Sequence, residues 1–442
     1  MLGRAARGLY RLAGYMALPL VPALIAWRTA RGKEERSRRV ERYGRPSARR
    51  PEGPLVWVHV ASVGETNAVL PLIGRLRDRG IAVLLTSVTV TSAAIAAQRL
   101  PPGAIHHYAP LDIEPFIDRF LDAWRPDLAL FFESELWPTM ITRLMARDIP
   151  QARINARMTE RSFARWKRLA PLMRPLFAAN RLTLAQSRGD AERLAALGFS
   201  HVRAAGNLKF DVPAPQADAE ALAAFAAATA GRRLFLAAST HEGEEGIVAA
   251  AHRASRARWP DLLTIIAPRH PARGAAIRAL LAAEGFVVAQ RSAGEVVTQA
   301  TDIYLADTLG ELGLFYPLAP VVFVGGTLVP VGGHNPIEAV KLGAAVLHGP
   351  MVANAAEIYA ALDVAIGRAP VGDAAALAAA LHALIGDPAL LAAEAARAHA
   401  GLAPHAGALD AALAALEPLL APLGARAGQA AGQGLFMKTA PP

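Results

Sequence analysis

From Pro51 onward the chain alternates short apolar runs with longer stretches of helical spacing. The runs at 55–60 (LVWVHV), 82–88 (AVLLTSV), 128–133 (LALFFE), 151–156 (QARINA) and 181–187 (RLTLAQS) read as strands. Amphipathic segments separate them, which predicts βαβ units and a doubly wound parallel sheet. The segment 206–220 (GNLKFDVPAPQADAE) breaks the rhythm with prolines and polar residues and reads as a linker. A second series follows at 234–239, 262–268, 286–290, 302–307, 321–326 and 344–349. The alanine-rich stretch from about Asp373 to Leu423 reads as helical, and the last residues as disordered. The expected division is 1–50 (anchor and basic segment), 51–210 (first Rossmann-like domain), 211–423 (second Rossmann-like domain) and 424–442 (disordered tail).

The first 50 residues follow another pattern. Leu9 to Trp27 is mostly apolar, interrupted by Arg11, Pro19 and Pro22. Behind Trp27 come Arg28, Arg31, Lys33, Arg36, Arg38, Arg39, Arg42, Arg45, Arg49 and Arg50. A spanning helix needs roughly 20 apolar residues, so this one is borderline. The pattern predicts an anchor helix, spanning the bilayer or lying in its interface. The arginines would hold the body of the protein in the cytoplasm and attract anionic phospholipid of that leaflet. A basic flank just after the apolar run, with no convincing A-x-A site, argues against a cleaved signal peptide.

Composition narrows the chemistry. The chain has 442 residues, is 53% hydrophobic and carries a formal charge of +10, which favours an anionic partner. Cysteine is absent, which excludes disulfides, thiol nucleophiles and thiolate-bound metal. No Gly-x-Gly-x-x-Gly follows the first strand and no Walker A motif is present, which weakens any reading as a dinucleotide or P-loop site.

In open α/β sheets ligands bind beyond the carboxyl ends of the strands. With two such domains, those ends are expected to line one cleft, and the polar residues of interest follow strands. In SVGET, Ser62 and Glu65 are spaced as a capping box. A carboxylate at a helix N-terminus keeps a low pKa unless its site is dry, and it also suits a general base. Both roles are open to Glu65. Glu133 and Glu135 in FFESELWP, two residues apart at a strand end, are expected to share one face. They form either a structural ion pair or part of a site. Lys209 in GNLKFD is either solvated or an anion ligand. Arg269, directly after a strand in IIAPRHP, suits phosphate or carboxylate. In VGGTLVPVGGHNPIEAV two glycine pairs precede a helix start, with Asn335 as cap, Pro336 at N1 and Glu338 at N3. That predicts an exposed helix N-terminus fit for an anion, with Glu338 placed to accept ribose hydroxyls. His106 and His107 are placed on a short loop, as solvated or packing residues, because no carboxylate or cysteine cluster completes a metal site.

Seven motifs occur in order: SVGET, ESELWP, INARMTERSF (154–163), GNLKFD, APRHP, DTLGELGLFY (306–316) and GGHNPIE. Together they make the chain resemble the 3-deoxy-D-manno-octulosonic acid (Kdo) transferases of lipopolysaccharide core synthesis, from the N-terminal anchor to about residue 420. The segment GPMVANAAEI (349–358) departs from the family in lacking aromatics around its asparagine.

The resemblance implies a GT-B fold, α/β with two Rossmann-like domains facing a central cleft and an N-terminal membrane-anchor helix. It implies CMP-Kdo as donor, a tetra-acylated anionic lipid A precursor as acceptor, and inversion without a metal or other cofactor. By carry-over Glu65 is the proton acceptor, and Glu135, with Glu133 as its alternative, and Lys209 stabilise the transition state. Pro268, Arg269, Leu309, Gly310, Glu311, Asn335, Pro336, Ile337 and Glu338 contact CMP. The expected location is the inner membrane with the catalytic domains in the cytoplasm, and no nucleic-acid partner. Two rivals are a UDP-sugar enzyme of the same fold, separable by nucleotide choice, and a non-catalytic membrane-tethered binder of anions.

Overall fold

The computed structural model describes residues 2–437 and divides into two compact units. The first holds the chain up to Val212 together with the segment from His405 onward; the second is Pro213–Pro404.

The first unit is built on a seven-stranded parallel sheet. Its strands are β1 (Leu55–His59), β2 (Ala82–Ser87), β3 (Ala104–Tyr108), β4 (Leu128–Phe132), β5 (Gln151–Ala156), β6 (Leu182–Ala185) and β7 (Val202–Ala204), in the order β3-β2-β1-β4-β5-β6-β7. Helices join them, as parallel pairing requires. Strand alternation sends Val56 and Val58 to one core with Leu72 and Leu76, and Trp57 to the other with Phe120 and Trp124. The strand order reverses between β1 and β4, which pair from Val56↔Leu128 to His59↔Phe131. Loops leaving the carboxyl ends of those two strands therefore open a crevice between them.

The second unit repeats the plan with six parallel strands: β8 (Arg233–Thr240), β9 (Leu262–Pro268), β10 (Val288–Gln290), β11 (Ile303–Leu305), β12 (Val321–Val324) and β13 (Ala345–His348). Their order is β10-β11-β9-β8-β12-β13, so the reversal lies between β8 and β12.

Several expectations need correction. The segment 206–220 is not all linker, because Leu208, Phe210 and Val212 are buried in the first unit. The domain boundary at 423 also moves. A helix over Ala408–Met437 stands where a disordered tail was expected from 424 on, residues 438–442 of that expectation lying outside the described residues, and the helix belongs to the first unit. Leu413, Leu416, Leu420 and Leu423 form one stripe against the first sheet's core, each buried leucine contributing about 1.5–3 kcal/mol. Asp211 accepts from the backbone N–H of Gly407 and Leu409 and fixes the start of that helix. The strands β3 and β7 escaped the pattern because they are short and polar. His106 and His107 thus stand in a strand, not a loop, and His107 is buried.

The N-terminus folds as helices Leu2–Ala17 and Val21–Ala30. Val21 and Ile25 pack on Phe116, while Leu9, Leu12, Met16, Leu20, Leu24 and Trp27 stay exposed. Arg7–Ala30 is long and apolar enough to cross a membrane. Pro388–Gln429 passes the same test, but its leucines at 413, 416 and 420 are core residues.

The basic segment is only partly available to lipid. Arg42, 3% exposed, pairs with Glu34 at 2.9 Å and donates to the carbonyls of Ala109 and Val88. Arg38 pairs with Glu41, whose carboxylate accepts from Tyr108 N–H at 2.5 Å. These pairs dock the segment onto β3. Gly44 (φ 74°) closes it, since a Cβ there would meet the Phe116 carbonyl at 1.9 Å. Arg31, Lys33, Arg36, Arg45 and Arg49 remain exposed.

Candidate active site

Glu65 sits in the first turn of the helix Val63–Asp78, directly after β1. Ser62 caps that helix by accepting from Glu65 N–H. The Glu65 carboxylate accepts from Ser62 Oγ at 2.8 Å and from the backbone N–H of Ala61, one residue before the cap, at 2.9 Å. The capping reading therefore holds in outline, but the low pKa does not. Glu65 is 7% exposed, and burial, reinforced by the charge of Glu133, pushes its carboxyl up to about 7 against those two hydrogen bonds. Enclosure keeps water from the carboxyl and outweighs the helix N-terminus.

Glu133 and Glu135 do not share a face. The strand β4 ends at Phe132, and Glu133 takes a left-handed conformation (φ 50°) that turns the chain. Glu133 Oε1 then meets Lys209 Nζ at 2.6 Å, with Gln186 Nε2 at 3.5 Å. Glu135 turns elsewhere: its Oε2 accepts from Trp137 Nε1 at 2.7 Å and lies 3.9 Å from His59 Nε2. Burial is the main cause that raises its carboxyl above the usual range. Of the two glutamates, it is Glu133 that pairs with Lys209. Lys209 is positioned by Asn207, whose side chain caps its N–H, and by Asn155, whose Oδ1 accepts from Leu208 N–H at 2.9 Å.

Sequence reasoning missed three residues of this crevice. Arg153 on β5 is fully buried and donates Nη1 to the Glu133 carbonyl at 2.9 Å. Burial lowers its guanidinium to about 10, opposed by Glu135. Asn155 is left-handed (φ 54°), and His59 is buried at the end of β1. The available signal was polar side chains inside otherwise apolar strands, LVWVHV and QARINA.

The second unit carries the basic counterpart. Pro268 ends β9, and Arg269 N–H donates to the Thr240 carbonyl of β8. Burial lowers the Arg269 guanidinium, and the charge of Glu338 opposes this. After β12, Gly325 lets the chain pass β8, since a Cβ there would meet the Ser239 carbonyl at 2.5 Å. Asn335 Oδ1 accepts from Ile337 N–H at 3.1 Å, but the N-cap is Pro336 and not Asn335, which puts Glu338 at N2 and not N3, the helix is only Ile337–Lys341, and Pro336 and Ile337 are buried. The expected exposed helix N-terminus is therefore absent there. Just before Asn335 in the chain, His334 stacks on His241: the two Nε2 atoms are 2.8 Å apart and the rings nearly parallel.

Leu309, Gly310 and Glu311 follow β11, on the far side of β9 and β8 from the β12 loops. Leu309 is exposed, Gly310 has φ 82°, and Glu311 is held by Arg291 and Thr308. Glu244, also missed, is fully buried and accepts from the backbone N–H groups of His241, Gly326, Thr327 and Leu328. Among the described residues no cluster of three or more His, Asp or Glu could hold a metal.

Residues 37–212 match the family model described as 3-deoxy-D-manno-octulosonic-acid transferase (kdotransferase). A 3-deoxy-D-manno-octulosonic acid transferase of Bordetella pertussis is 38% identical over 94% of the chain and 99% of its own length. A probable mitochondrial transferase of the same name from Arabidopsis thaliana is 36% identical over 80% of the chain and 82% of its own. Among solved structures, a glycosyltransferase from Rickettsia africae aligns with TM-score 0.56 at 13% identity, over 84% of this chain and 99% of its own. UDP-GlcNAc 2-epimerase from Neisseria meningitidis aligns with TM-score 0.56 at 14% identity, over 82% and 99%. These two likenesses concern the fold, which is GT-B.

Proposed function

The chain belongs to the Kdo transferase family of glycosyltransferases, and from that premise we propose that it transfers Kdo from CMP-Kdo to a tetra-acylated lipid A precursor, with inversion, in lipopolysaccharide synthesis. The observation that carries the chemistry is Glu65: a dry carboxyl poised near pH 7 at the β1/β4 crevice, next to the Lys209–Glu133 pair. An acceptor hydroxyl attacks the anomeric carbon of Kdo, its proton passes to Glu65, and the bond to the CMP phosphate breaks. A base with a pKa near the working pH suits that proton transfer.

Glu133 and Lys209 form the ion pair that stabilises charge at the reacting centre, with Glu135 nearby. Arg269 supplies positive charge for the departing phosphate, and the His241–His334 pair, whose imidazoles burial holds below their usual pKa, adds uncharged hydrogen-bond donors. Glu338 and the loops at Pro268 and Asn335–Ile337 suit the ribose and base of CMP. Leu309–Glu311, farther along the sheet, suit the nucleotide's outer edge. On this reading the leaving group is handled by side chains and the reaction proceeds without a metal.

The acceptor side has its own support. A cavity of about 290 Å³ is lined by Arg7, Arg11, Glu114 and Arg143 between the N-terminal helix and the helix Pro138–Met145, which follows the Glu133–Trp137 loop. Basic groups there suit an anionic headgroup, and the exposed apolar side chains from Leu9 to Trp27 suit the inner membrane, with Arg31, Lys33 and Arg36 on the cytoplasmic leaflet.

The test is CMP release from CMP-Kdo, generated in situ, with the tetra-acylated precursor. Wild type should release CMP only with acceptor, and Glu65→Gln should fold and not turn over. A folded Glu65→Gln enzyme with near-normal rates would sink the assignment of the base.

A further inference from the structure

Beneath the crevice of the first unit runs a line of buried hydrogen bonds that fixes the protonation of one histidine. Trp57 Nε1 can only donate, and it donates to Thr86 Oγ1 at 2.8 Å. The Thr86 hydroxyl also lies 2.9 Å from His59 Nδ1. The Thr86 oxygen could accept a second time, but its own hydrogen would then have no acceptor, since Nδ1 is the only one in reach among the described residues, so Thr86 gives that hydrogen to Nδ1. A neutral His59 therefore carries its proton on Nε2. Burial, with Arg153 and Arg42 in support, lowers this imidazole to about 3, so the neutral form holds at neutral pH.

That Nε2–H has no hydrogen-bond partner, and the ring is 1% exposed. An unpaired buried donor is costly, on the order of 1–3 kcal/mol. Glu135 Oε2 lies 3.9 Å from Nε2, too far for a hydrogen bond. Oε2 already accepts from Trp137 Nε1, and Glu135 stands in the irregular segment between β4 and the helix Pro138–Met145. A movement of about 1 Å in that segment would bring Oε2 to hydrogen-bonding distance.

We infer that His59 is a positioning residue for Glu135: its Nε2–H, oriented by Thr86 and Trp57, takes Oε2 when the acceptor is bound and leaves Oε1 facing the substrate. His59 itself is too buried to touch substrate. The inference rests on the proposed Kdo transfer for its kinetic test, but its structural premise does not.

Two variants separate positioning from packing. In His59→Asn the carboxamide reaches Thr86 but falls short of Glu135. In His59→Gln it extends to the place of Nε2. His59→Asn should lower kcat about tenfold with KM for donor and acceptor within about twofold, the worth of one charge-assisted hydrogen bond. His59→Gln should recover most of that loss. In a Glu135→Leu background, which has no oxygen to accept from Nε2–H, His59→Asn should cost no more than about twofold further, because the two act as one unit. Equal losses in both variants at equal Tm, or full multiplication with Glu135→Leu, would overturn the inference.

Nitrogen NMR of 15N-histidine-labelled enzyme tests the premise without turnover. His59 should show a bare Nδ1 and a protonated Nε2, and a proton on Nδ1 would overturn it. Absence of Kdo transfer in wild type would defeat the proposed function, while the tautomer measurement would still judge the hydrogen bond.

Discussion

Each unit places a glutamate in the first helical turn after its first strand, Glu65 after β1 and Glu244 after β8. Sequence pattern alone makes them equivalents. Their surroundings do not. Glu244 accepts from four backbone N–H groups and is fully enclosed, so its charge is neutralised by dipoles and it ties the β12 loop to β8. Glu65 accepts from one backbone N–H and one hydroxyl and has Glu133 as a neighbour, so its charge is under-compensated. A carboxylate with every donor it needs holds a structure, whereas one short of donors in a dry site can take up a proton.

The largest effect should fall on Glu65. Glu65→Gln should cut turnover by about 10³, within the range for losing a general base. In the wild type kcat/KM should fall tenfold per pH unit below about 7 and level off above it, since only the carboxylate accepts the proton. The stability sign is the reverse of a salt-bridged acid. A folded pKa of about 7 against the usual 4.5 means this group's contribution is fully present below 4.5 and lost as pH rises through 7. Above pH 7, Glu65→Gln should therefore unfold at the same temperature as wild type or higher. A variant that melts much earlier would make Glu65 a second Glu244.

Lys209→Met comes next, with turnover lower by about 10², the worth of a positioned charge at a reacting centre. It leaves Glu133 without its partner at 2.6 Å, so more negative charge acts on Glu65. The acid limb of the pH profile should move upward, and an unmoved limb would uncouple the two carboxylates. Glu244→Gln should do what Glu65→Gln does not. It destabilises the second unit by about 2 kcal/mol through its lost charge-assisted hydrogen bonds, read as a fall in Tm, and leaves the acid limb in place. The smallest effect belongs to Arg269→Ala. CMP affinity by calorimetry should drop about tenfold, with no change in the pH profile. Protection against thermal unfolding should be greater with CMP than with UDP, and the opposite order would favour a UDP-sugar donor.

The sequence by itself determined the two parallel sheets, because strands buried on both faces must be continuously apolar and helices must follow them. It also determined that the polar residues of interest lie just after strands, where a wound sheet opens. Motif order carried the family. Tertiary structure alone decided the rest. The left-handed turn at Glu133 sends Glu133 to Lys209 and Glu135 to Trp137, a choice made by backbone conformation and not by spacing. The stripe of Leu413, Leu416 and Leu420 fits any apolar face, so only packing could assign the last helix to the first unit. Likewise the pKa of Glu65 follows from what excludes water and what charge stands beside it, and neither is written in the five residues SVGET.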